Sequence, residues 1–99
     1  MSGPQKYRKR PLIVDAWQFQ GFRADDNGWG LLHWVDEDGQ TASGLGQGDD
    51  SVLIIETREG RMRAEQGDWI VKEPAPTSDR RFYPVKPDIF AATYEAVSE

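Results

Sequence analysis

The clearest alternation of apolar and polar positions runs from Val52 to Val71. Leu53, Ile55 and Thr57 alternate with Ile54 and Glu56, and beyond Glu59-Gly60 the pattern resumes as Met62 and Ala64 against Arg61, Arg63 and Glu65. A period of two marks strands with one buried face, so this stretch predicts strand, turn, strand, turn, strand. Gly60 and Gly67 supply the positive φ that tight turns require. Slipping by one residue would drive Arg61 and Arg63 into the core, which fixes the register.

The flanking segments read less regularly. Residues 1–5 are a frayed N-terminus, and Leu12 to Phe19 have strand composition with Pro11 at the start, where its missing N–H does no harm. Asp25-Asp26-Asn27-Gly28 introduces a short helix over Trp29–Asp36, with Leu31, Trp34 and Val35 on one face. Residues 38–51, rich in Gly, Asp, Ser and Gln, read as a mobile loop. Pro74 to Asp79 form a second loop, Arg80 to Val85 a short strand, and Pro87 to Thr93 a helix. In that helix Pro87 suits the first turn, Asp88 complements the dipole, and Phe90 meets Tyr94 four residues on. The last residues extend as a closing strand. The expected fold is α+β: a small, twisted, mostly antiparallel sheet of about five strands that can curl toward a barrel, with two short helices in a single domain, 1–99.

Composition narrows the function classes. Ninety-nine residues without cysteine exclude disulfides, thiolate metal ligands and a cysteine nucleophile, and fit a reducing compartment. No apolar run is long enough to span a bilayer and the start lacks a signal-peptide pattern, so the expected location is the cytoplasm where the protein is made, with no membrane contact. The net charge of −5 argues against sequence-specific DNA binding, which depends on neutralising phosphates.

The candidate chemistry is sparse. His33 is the sole histidine and reads as a packing or helix-surface residue, Asp36-Glu37-Asp38-Gly39 lacks the ligand spacing of a calcium loop, and Gly44-Leu45-Gly46-Gln47-Gly48 leads into Asp49-Asp50 instead of a helix N-terminus. No catalytic residue, metal ligand or cofactor is assigned. Two binding surfaces are. Arg8, Lys9, Arg10, Arg80, Arg81 and Lys86, with Trp17 or Tyr83, would form a pocket for a small anionic planar ligand such as a nucleotide if the first and last strands were neighbours. Trp69 and Ile70 cannot share a sheet face, so one of them covers the opposite face, under a helix or as a contact surface, and Trp69 is the candidate partner-binding residue.

Three ordered blocks carry a resemblance. Lys6-Tyr7-Arg8-Lys9-Arg10-Pro11 running into Val14-Asp15-Ala16-Trp17-Gln18-Phe19, then Ile55 to Gly60 with Gly67-Asp68-Trp69-Ile70-Val71, then Phe82 to Phe90 with Thr93-Tyr94-Glu95, resemble a family of small bacteriophage and prophage proteins. The central block also resembles a shorter Pro-Gly-Asp-Tyr-Gly-type motif, with Gln66 and Lys72 in place of its proline and final glycine. The resemblance implies no catalytic residues or cofactor, and residues 22–51 lie outside it. The expectation is therefore a phage accessory protein that binds a host or phage macromolecule; the alternatives are an anionic-ligand binder and a minor virion component. Pro11 with Arg8–Arg10, and Pro84 with Arg80-Arg81, guard the sheet edges, while the surplus of aromatics predicts a weak homodimer packed through sheet or helix faces.

Overall fold

The computed structural model describes residues 3–7, 13–23, 27–37, 39–57, 60–73 and 82–97. Strands β1 (Asp15–Gln18), β2 (Ala42–Leu45), β3 (Val52–Thr57), β4 (Gly60–Glu65), β5 (Trp69–Lys72) and β6 (Phe82–Val85) accompany helices α1 (Asn27–Glu37) and α2 (Pro87–Thr93). The strands form two antiparallel three-stranded sheets, ordered β1-β5-β6 and β2-β3-β4. The fold is a small α+β domain, and no closed barrel forms among the described residues.

The β3–β4 hairpin follows the sequence pattern. Leu53 pairs with Ala64 and Ile55 with Met62, putting the apolar set on one face, where Leu53, Ile55 and Ala64 are fully buried. Thr57 pairs with Gly60, whose φ is 116°, and the Thr57 hydroxyl donates to the Gly60 carbonyl at 2.7 Å. The second turn is different. At Gln66–Asp68 the chain leaves one sheet for the other, so β5 pairs with β1 and β6 instead of folding back on β4. The buried Asp68 holds this corner, accepting from the Glu65 N–H at 2.9 Å and from Lys86 Nζ at 3.1 Å.

One core joins three elements: Leu31 and Val35 of α1, Leu53, Ile55 and Ala64 of one sheet, and Ile70 and Phe82 of the other, with Phe19 and Phe22 between them. Burying such side chains contributes roughly 1.5–3 kcal/mol each. Directly paired residues project to the same side of a sheet, so Trp17, Ile70 and Pro84 share the core face, and Trp69, Val71, Tyr83 and Val85 share the other. That outer face lies under α2: Trp69 stacks on Phe90 at 4.2 Å with planes 6° apart, and Phe90 on Tyr94 at 4.9 Å.

Three expectations change. Residues 42–45, read as part of a loop, form β2, held by pairing with β3, and Gly48–Asp50 make a 3₁₀ turn. The polar composition hid this because the apolar partner in the pair is β3. The first strand is shorter than expected, with Ile13 71% exposed ahead of it. Residues 94–97 form no closing strand; the chain leaves α2 at Tyr94 in extended conformation without pairing. Helix α2 matches its expected limits.

Candidate functional site

Of the residues proposed for an anionic pocket, the structure describes Trp17, Tyr83 and Lys86. Trp17 lies on the core face of its sheet against Trp34, at 5.6 Å, while Tyr83 projects from the opposite face. The Tyr83 hydroxyl donates to Glu73 Oε1 at 2.7 Å and sits 3.2 Å from the Tyr94 hydroxyl. Burial first, then these two hydrogen bonds, push the Tyr83 phenol far above its usual range, so it stays protonated. Lys86 is committed to Asp68 at 3.1 Å and Glu65 at 3.6 Å, and the hydrogen bond to Asp68 raises its pKa. Its charge is matched by carboxylates. Arg8, Lys9, Arg10, Arg80 and Arg81 lie outside the described residues. Trp69 is half-buried, one ring face taken by Phe90.

A different surface has the geometry of a binding site. Residues Gly21–Arg23 run beneath the Gly44–Ser51 segment, and glycines make the crossing possible: a Cβ on Gly44 would overlap the Phe22 ring, and one on Gly28 would overlap the Gly21 carbonyl. Ser51, buried, locks the crossing. Its hydroxyl accepts from the Phe22 N–H at 2.9 Å and donates to the Gly48 carbonyl at 2.7 Å, while the Gly48 N–H donates to the Phe22 carbonyl at 3.0 Å. Gly44 and Gly46 thus serve close packing, against the Phe22 ring and the Asp50 carbonyl.

On this floor Phe22 supports Trp29, whose ring lies 4.5 Å away and is 47% exposed. Phe22, Arg23, Trp29, Gln47 and Gly48 line an open hollow of about 560 Å³, a volume in the range of small-ligand or side-chain pockets. Arg23 is fixed at its rim: Nε donates to the Gln20 carbonyl at 3.0 Å, and Nη2 to Asp49 at 2.6 Å and Gln66 at 3.0 Å. Those three acceptors leave Nη1 without a hydrogen bond among the described residues. The arrangement offers an aromatic face, a pre-positioned guanidinium edge and the Gln47 amide to an incoming group.

The sequence reading missed Trp29 and Arg23. Trp29 was placed at the start of a helix and assigned to no binding surface, yet it falls two residues before Leu31, about 200° around the helix from the buried face. Phase alone marked it as exposed, together with His33 and Asp36 on the same side. Nothing in sequence marked Arg23, because its partners lie 26 and 43 residues away.

Among the described residues no helix is long and apolar enough to cross a membrane, and no three His, Cys, Asp or Glu side chains converge as a metal site. No protein family, curated protein or solved structure matches the chain.

Proposed function

We propose that this chain is a phage-encoded accessory protein that works in the host cytoplasm by binding a host or phage protein, without catalysis of its own, and that Trp29 is the centre of its contact surface. The observation that carries the binding reading is the half-exposed Trp29 on a floor locked by Ser51 and the glycine crossings. A large ring held rigidly at the surface contributes contact area at little entropic cost, and tryptophans of this kind dominate binding energy. The phage assignment draws on the three sequence blocks described above. Capture from bacterial lysate by wild-type protein and by Trp29→Ala tests the reading: a partner retained by the wild type and lost by the variant is expected, and a partner held equally by both contradicts it.

A second reading is favoured by Arg23, which lines the same hollow as Trp29 and whose Nη1 has no acceptor among the described residues: the hollow takes a small planar ligand carrying an anionic or carbonyl edge. Asp49 offsets much of the Arg23 charge, so affinity for a bare phosphate is weak and stacking on Trp29 is required. A ligand at 100 times its dissociation constant raises stability by about 2.7 kcal/mol. Thermal shift against nucleotides separates the readings; no shift with any of them removes this one.

A further inference from the structure

The two outer strands of the β1-β5-β6 sheet differ in what their backbones offer. In an antiparallel ladder alternate residues turn both N–H and C=O toward one neighbour, and the residues between turn them the other way. In β6, the Phe82 N–H donates to Gln40 Oε1 at 3.2 Å and its C=O accepts from Gln40 Nε2 at 3.0 Å. Phe82 therefore faces away from β5, and the Gln40 amide stands where another strand would pair. Pro84 faces the same way and has no N–H to give, so this edge is closed.

Among the described residues the β1 edge is open. Phe19 donates to the Asp68 carbonyl at 2.8 Å and accepts from the Gly67 N–H at 2.7 Å, so Phe19 and, two residues before it, Trp17 face β5. Ala16 and Gln18 accordingly turn N–H and C=O outward, and these groups have no partner among the described residues. Asp15 and Ala16 are exposed.

We propose that the β1 edge is a self-association surface whose occupant is β1 of a second copy, running antiparallel to form one six-stranded sheet across the pair. It is independent of the Trp29 hollow. With a two-fold axis beside Trp17, Ala16 pairs with the partner's Gln18 and exchanges both backbone bonds, and Asp15 lies across from the partner's Phe19, so no like charges meet. A short edge offers few bonds, too few to order a flexible peptide, whereas a second folded copy arrives already extended. The area is small against the roughly 1,200 Å² of a stable interface, so the dimer is weak. This places self-association at a strand edge instead of the sheet or helix faces expected from sequence.

Hydrogen exchange and sedimentation from micromolar to millimolar protein test it. At high concentration the Ala16 and Gln18 amides exchange about tenfold more slowly and the mass moves toward a dimer; unchanged exchange or a monomer throughout overturns the proposal. Ala16→Pro removes one outward donor without touching the internal ladder, as Pro84 does on the other edge, and is expected to keep the circular dichroism spectrum while staying monomeric. A folded Ala16→Pro that still dimerises overturns it equally, and should the variant not fold, the wild-type exchange measurement decides.

Discussion

Trp69 and Trp29 look alike in sequence, each a tryptophan beside a polar turn, and the fold treats them oppositely. Trp69 is roofed by a helix: Phe90 lies parallel on it and Tyr94 parallel on Phe90. Trp29 packs on Phe22 and is 47% exposed. The same ring is largely covered where a helix packs on it and half-exposed where Phe22 alone supports it. The difference lies in the partner element. Helix α2 is positioned to close over Trp69 by Lys86 gripping Asp68, while the Gly21–Arg23 crossing supports Trp29 only from below.

Breaking the floor has the largest expected effect. Phe22→Ala empties a buried site shared by the core and the hollow and is expected to cost about 3–5 kcal/mol in urea unfolding. Ser51→Ala leaves the buried Phe22 N–H without its acceptor and is expected to cost about 1–3 kcal/mol. Gly44→Ala acts from the other side, forcing a methyl against the Phe22 ring, at a similar cost of about 1–3 kcal/mol. A Gly44→Ala protein as stable as wild type would contradict the close-packing account of these glycines.

The roof over Trp69 has a pH signature. Lys86 is raised above lysine's ordinary value of 10.5 by its hydrogen bond to Asp68. A cation favoured in the folded state stabilises fully below the unfolded pKa, and that contribution disappears as pH rises through the raised folded value. The wild-type advantage over Lys86→Met in thermal midpoint is therefore expected to stay constant with pH through neutrality and to shrink above pH 10.5. Because the side chain is 54% exposed, the difference is small.

How much of this was legible in sequence follows from where each signal sits. The β3–β4 hairpin and α2 were readable because their determinants are local: a period of two around Gly60, and Pro87-Asp88 leading to Phe90 and Tyr94. The incompatibility of Trp69 and Ile70 on one face was also readable, but not which of the two faced the core. Strand β2 was not, since Ala-Ser-Gly-Leu has no strand pattern and becomes one only beside β3. That Trp17 and Tyr83 face opposite sides of their sheet was not readable, because relative facing across strands is set by register, which sequence spacing does not carry. The Trp29 hollow was half legible, the exposed helix phase being local and the Arg23 clamp long-range.

Trp29→Ala has the smallest expected effect on stability, under about 1 kcal/mol, because a ring packed on one side loses little when removed. It is also the most direct test of the central claim that Trp29 is a surface for a partner. Wild type and Trp29→Ala are compared for capture of a bacterial partner after their thermal midpoints are shown to agree. The account predicts that the variant keeps its fold and loses the partner; a variant that keeps both contradicts it.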